Sequence, residues 1–299
     1  MIRNLDKDLQ PKNIAFNYKR NKAKAVLTLK GILDGVNADR KLNEDEIIYI
    51  RAWKENDIFN LNDGDFIDIH EQLEDILEDN IITKNELNDI QQMLQDILVY
   101  GELEDGEYEA TVNHLLGFLS GISADNTLND QEINKLFNLL KKDKNLVSKW
   151  PANAINNRLE SILEDGIIDE SERTDLLNLI KATSGQSLFE TGLAYGMTAD
   201  FSTTQNGDIC LAGKSVCFTG KFLSGSRKMQ ETTAIKLGAI IKNSVSKNID
   251  FLVLGAVASR DWRYSSYGRK VERILGYRNN GFCIDIINEE LWNTLIISK

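Results

Sequence analysis

Between residues 25 and 181 apolar residues recur at three- and four-residue steps, as in Leu73, Ile76 and Leu77 and again in Leu87, Ile90, Met93 and Leu94. That spacing lines one face of an α-helix. After residue 207 the rhythm changes to short continuous apolar runs, Ser215-Val-Cys-Phe-Thr219 and Phe251-Leu-Val-Leu254, separated by helical stretches and punctuated by Gly220, Gly238 and Gly281. The pattern predicts strands over 215–219, 239–242, 251–254 and 282–286, and helices over 229–237, from about 269, and over 289–296. Alternating strands and helices imply a parallel sheet. The expected fold class is α + α/β: an all-helical N-terminal bundle, then a small parallel-sheet α/β domain.

The helical half is a duplication. An offset of 86 residues carries Gly31-Ile-Leu-Asp-Gly35 onto Gly117-Phe-Leu-Ser-Gly121 and Leu73-Glu-Asp-Ile-Leu-Glu-Asp79 onto Leu159-Glu-Ser-Ile-Leu-Glu-Asp165. The halves run over about 25–98 and 111–184, each a pair of helical hairpins. Each contains twice an Asp, an aliphatic residue three later and a Glu four after that: Asp39/Leu42/Glu46, Asp79/Ile82/Glu86, Asp125/Leu128/Glu132 and Asp165/Ile168/Glu172. An EF-hand calcium loop ends in such a Glu. In that register, however, Leu77 and Leu163 fall at the third ligand position and Gly35 and Gly121 at the first. Leu cannot coordinate calcium, and Gly offers no side chain. The alternative is a helix start, because Asn43-x-x-Glu46, Thr83-x-x-Glu86, Asn129-x-x-Glu132 and Asp169-x-x-Glu172 have the form of capping boxes. Capping is the expected role, and no metal site is expected. The turns Ala38-Asp-x-x-Leu42-x-x-x-Glu46 and Ala124-Asp-x-x-Leu128-x-x-x-Glu132 resemble those of the tellurite-resistance TerB-like helical family, a likeness that implies no activity.

Composition divides the chain further. From Gly207 onward 14 Lys and Arg stand against 8 Asp and Glu, whereas 21 stand against 38 before it. An acidic bundle therefore precedes a basic domain, and the basic one is suited to attract phosphate. A basic arm over 1–24 carries Arg3, Lys7, Lys12, Lys19, Arg20, Lys22 and Lys24. Residues 182–207, rich in Gly, Ser and Thr, read as a linker partly ordered by Leu188, Phe189, Tyr195 and Phe201. Trp53 and Trp150 are expected in or beside the core. The odd, widely spaced set Cys210, Cys217 and Cys283 points to free and mostly buried thiols in a reducing cytoplasm. With no signal peptide or apolar span, no membrane partner is expected.

In residues 208–299, Gly213-Lys-Ser-Val-Cys-Phe-Thr-Gly220, Ser226-Arg227, Leu237-Gly-Ala239, Ser244-Val-Ser-Lys-Asn-Ile-Asp-Phe-Leu-Val253, Gly268-Arg-Lys270 and Ile286-Ile-Asn-Glu-Glu-Leu-Trp292 together resemble a BRCT domain of the NAD-dependent DNA ligase type. An insertion, Ala256–Tyr267, departs from the ligase pattern, as do a few residues before Gly281. Both are closer to bacterial lone-BRCT and exonuclease-associated proteins. The resemblance implies a phosphate site with the Thr219 hydroxyl, the Gly220 amide, Arg227 and Lys270 as its groups, and Lys221, Lys247 and Arg269 as rim cations. The chemistry is coherent: neutral donors, a guanidinium fork and a point charge suit a dianion, and a helix beginning near Arg269 adds its amides. Each residue also has a plainer role: a strand end, a turn glycine or a solvated cation.

Catalytic residues are not expected. The only histidines, His70 and His114, lie in the helical repeat, and no Lys-x-Asp-Gly adenylation motif, phosphate-loop motif or zinc-spaced Cys pair occurs. The expected function is non-enzymatic and needs no cofactor: recognition of a 5′-phosphate at DNA ends or nicks in repair, replication or genome defence. The alternatives are a phosphoprotein adaptor whose acidic helical domain recruits a protein partner, and a structural module with an idle phosphate site. The two parts are expected to fold independently.

Overall fold

A computed structural model describes residues 14–39, 42–55, 63–79, 82–103, 106–164, 166–194, 196–202, 209–259 and 262–297. Arg3, Lys7, Lys12, Asp165, Tyr195 and Arg260, named above or within a stretch named above, lie outside these residues.

Among the described residues, eight α-helices form the first part, four from each repeat: α1 Ile14–Val36, α2 Glu44–Lys54, α3 Gly64–Ile76 and α4 Lys84–Tyr100, then α5 Glu107–Ile122, α6 Asp130–Lys141, α7 Ala152–Ile162 and α8 Glu170–Ser184. The starts of α2 and α4 map onto those of α6 and α8 by the same 86-residue step. All four capping boxes are formed, with the backbone amides of Asn43, Thr83, Asn129 and Asp169 donating to Glu46, Glu86, Glu132 and Glu172 while the cap side chains accept from the N3 amides. Leu77 is buried apolar packing. The boxes thus do what the sequence pattern predicts: they supply partners to amides that helix starts leave free.

The halves meet where α1 crosses α5. A Cβ on Gly31 would run into the His114 carbonyl, one on Gly35 into the Phe118 carbonyl, one on Gly117 into the Thr28 carbonyl and one on Gly121 into the Ile32 carbonyl. The two Gly-x-x-x-Gly segments therefore let the backbones touch, and each half supplies one of them. A second exchange ties the turns: Asn43 Nδ2 donates to Asp125 Oδ2 at 2.8 Å and Asn129 Nδ2 to Asp39 Oδ2 at 3.1 Å. Beside these turns the carboxyls of Glu46 and Glu132, 2 % and 3 % exposed, are each pushed up to about 8. Burial is the main cause, and Asp39 and Asp125 add to it against the lowering effect of the cap amides.

The expected arm overlaps α1, which begins at Ile14. Lys22 and Lys24 are buried rather than free: Lys22 pairs with Asp63 and Asp65, and Lys24 donates to the Trp262 carbonyl.

The connector after α8 contains the short helix α9 Leu188–Thr191 and packs into the molecule. Tyr49 OH donates to the Ala194 carbonyl at 3.0 Å, and Met197, Ala199 and Phe201 are buried.

The second part runs β1 Ser215–Thr219, α10 Arg227–Lys236, β2 Ile240–Ile241, β3 Phe251–Leu254, α11 Arg269–Asn279, β4 Asp285–Asn288 and α12 Glu289–Ile297. The sheet is parallel throughout, in the order β2-β1-β3-β4. Side chains alternate between its faces. Val216, Phe218, Val253 and Ile287 face Ala234 and Trp292, while Cys217, Leu252, Leu254 and Ile286 face Val271 and Ile274. That second cluster continues through Tyr264, Tyr267, Phe201 and Trp150 into α5–α8, so one apolar core crosses the boundary between the two parts.

Two further expectations are corrected. The last strand begins at Asp285, not Phe282: Gly281 has φ +86°, Phe282 turns onto Tyr277 with ring centroids 6.0 Å apart, and parallel pairing with Phe251 starts at Asp285. Cys217 is buried, but Cys210 and Cys283 are exposed, contrary to the expected burial of most thiols. Among the described residues no helix is long and apolar enough to cross a membrane.

Candidate phosphate-binding site

Open parallel sheets leave a binding edge at the carboxyl ends of their strands, and the two central strands here are β1 and β3. β1 ends in Thr219, which is 5 % exposed. Gly220 then turns the chain with φ +84°, and a Cβ there would lie 3.1 Å from both the Gly255 nitrogen and its oxygen. Glycine suits the position through both its dihedral and its close approach. Lys221 pairs with Val257 through hydrogen bonds of 2.8 and 3.0 Å, which brings the start of the Ala256–Tyr267 insertion against the residue after Gly220.

Lys270 is the second residue of α11, whose N-cap, Gly268, makes no side-chain cap bond. Its Nζ donates to the Phe218 carbonyl at 3.1 Å and contacts Cys217 Sγ at 3.4 Å. The ammonium therefore sits at the carboxyl end of β1, beside Thr219 and at the amide end of a helix. Arg227 is placed differently. It opens α10, its Nε donates to Glu231 Oε1 at 3.0 Å, and its side chain is 39 % exposed. Among the described residues no hydrogen bond or ion pair joins it to Thr219, Gly220 or Lys270. Of the expected rim cations, Arg269 is exposed at the start of α11, Lys247 lies 4.9 Å over the Phe282 ring, and Lys221 contributes the backbone pairing described above.

Sequence reasoning missed Glu289, which is 4 % exposed. Its carboxylate accepts from the Leu223 amide at 3.1 Å, the Ser224 amide and hydroxyl at 2.7 Å each, and the Ala256 amide at 2.8 Å. Buried Gln230 extends the network, donating to Ser224 Oγ at 3.1 Å and accepting from Trp292 Nε1 at 2.8 Å. The carboxylate thus fixes the loop that follows Gly220 and takes the Leu223, Ser224 and Ala256 amides, donors an anion would otherwise use. A Glu three residues before a buried Trp was the available signal, though its partners are remote in sequence.

Elsewhere, a cleft of about 670 Å³ lies between the α6 and α8 starts, with Asp39, Asn129, Asp130, Glu170 and Arg173 on its walls. His114 Nε2 lies 2.8 Å from Asp34 Oδ2. Burial alone would raise the Asp34 carboxyl, but His114, with Lys30 and Lys135, holds it below the ordinary value. The pair joins α1 to α5, and no Ser, Cys or Thr hydrogen-bonds to it among the described residues. Fold and site together define a two-part protein, a duplicated helical bundle carrying a small parallel α/β unit. Comparison with protein-family models, curated proteins and solved structures finds no match to the chain.

Proposed function

We propose that this chain is a non-catalytic phosphate-binding protein of the BRCT kind, whose ligand is the 5′-phosphate of a DNA end or nick. The observation that carries the reading is that Thr219 ends β1, Gly220 turns the chain away from it, and the Lys270 ammonium rests on the neighbouring Phe218 carbonyl from a helix N-terminus that has no side-chain cap. Donors of that kind hold a dianion by charge-assisted hydrogen bonds. DNA is favoured over a phosphoprotein by the net positive charge after Gly207, which matches a polyanion carrying many phosphates. Binding of one duplex with and without a 5′-phosphate, at two salt concentrations, tests the reading. A phosphate-dependent gain in affinity that survives the higher salt is the expected result. Equal affinity for both duplexes, together with binding of a phosphoserine peptide but not its unphosphorylated form, would move the ligand to a phosphoprotein. Indifference to phosphate in every ligand would leave an idle site.

A further inference from the structure

We infer that the helical bundle is a working part of the phosphate site, and that Asn113 on α5 is the positioning residue that joins them. The inference rests on the phosphate reading above and goes beyond it, because it gives the bundle a role at that site.

The geometry lies in the insertion. Its first residues pair with Lys221 next to Gly220, and its last lead into Gly268, the N-cap of α11, two residues before Lys270. Between these ends the loop is gripped by the bundle. Asn113 is 0 % exposed; its Oδ1 accepts from the Ser265 amide at 3.1 Å and its Nδ2 donates to the Arg263 carbonyl at 3.3 Å. One buried amide side chain thus satisfies both a donor and an acceptor of a part-buried loop backbone, which an apolar residue cannot do. Around it, Glu109 Oε1 pairs with Arg263 Nη1 at 2.8 Å, Lys24 Nζ donates to the Trp262 carbonyl at 2.8 Å, and Ser266 Oγ donates to the Thr183 carbonyl at 3.0 Å.

The grip reaches the site through Trp262. Its indole lies so close over Gly268 that a Cβ there would overlap the ring. Held by α1 and α5, the loop presses this ring onto the N-cap of α11 and fixes the first turn that carries Lys270. Releasing the loop frees the ring, the cap and the ammonium together. A clamp that orders a site in advance raises affinity for the ligand that needs the order.

The test uses the full chain, its Asn113→Leu and Glu109→Gln variants, and one DNA duplex with and without a 5′-phosphate. The readout is the ratio of the two affinities, measured at a temperature where melting curves show each protein folded. A residue that only stabilises the fold lowers the melting temperature and leaves this ratio alone. The inference expects the ratio to fall about tenfold for Asn113→Leu and about threefold for Glu109→Gln, sizes ordinary for coupling between connected sites. Should Asn113→Leu fail to fold, Glu109→Gln, which keeps the side-chain shape, decides alone. A wild-type preference for phosphorylated DNA that the folded variants retain overturns the inference and leaves the phosphate reading standing. No preference in the wild-type protein overturns both.

Discussion

Lys270 and Arg227 differ in their neighbours. The ammonium rests on a neutral carbonyl and a thiol, whereas the guanidinium faces the Glu231 carboxylate. Replacing Lys270 by Ala is therefore expected to weaken phosphate-dependent binding by about ten- to a hundredfold, the size of one charge-assisted hydrogen bond. Arg227→Ala should cost about threefold or less, because the Glu231 carboxylate already takes its Nε donor and offsets its charge. Titrations with phosphorylated and unphosphorylated duplex check both. Equal losses at the two positions would return Arg227 to the centre of the site. Glu289→Ala is expected to destabilise the protein by about 3 kcal/mol, read by denaturant unfolding, since it removes a buried carboxylate that accepts four hydrogen bonds from the loops. The places of Thr219, Gly220 and Lys270 at a strand end, a turn and a helix start were legible because those features are written in the local sequence; their grouping as a site came from the family resemblance. Glu289 and Asn113 were not legible, because their partners lie 65 and 152 residues away along the chain.

Helix starts were the most legible elements, for a capping box is complete within four residues and needs no tertiary partner. The α1–α5 crossing was half legible: the repeated glycines were visible, but not that they face each other. Gly117→Leu should separate the two backbones and cost several kcal/mol, roughly the 3 kcal/mol or more of an overpacked core, seen as a large drop in melting temperature. The buried pair beside the turns gives a pH dependence with a definite sign. Glu46 and Glu132 have folded values of about 8 against an ordinary 4.5. The folded state therefore binds more protons than the unfolded state between those limits, and stability falls as pH rises from about 4.5 towards 8. Glu46→Gln with Glu132→Gln should flatten that slope and raise the melting temperature at pH 8. An unchanged slope would show that the two carboxyls are ionised in the folded protein. The last strand was misplaced because Phe282 reads as a strand residue but is spent on a contact with Tyr277.

For the whole molecule, two architectures in one chain were legible from the change of period and of charge sign. Their fusion was not, because the joining residues carry no period. Trp150 meets Tyr267 with centroids 4.5 Å apart and Phe201 at 4.6 Å, while Tyr264 stacks on Tyr267 at 4.3 Å. A fragment comprising 208–299 uncovers this aromatic cluster. It is expected to unfold at lower denaturant than the full chain and to bind a hydrophobic dye. A fragment as stable as the intact protein and indifferent to dye would show that the shared core contributes nothing across the boundary.

The duplicated halves also preserve a history. Two of the residues that hold the insertion, Glu109 and Asn113, stand 86 positions after Ala23 and Leu27, so the matching places in the first copy hold a methyl and an isobutyl group. Glycines, caps and core positions repeat in both copies because each copy must still build the same scaffold. The two polar residues occur in one copy only. The two copies thus share one scaffold, and at these two positions only the second copy presents polar groups to the insertion.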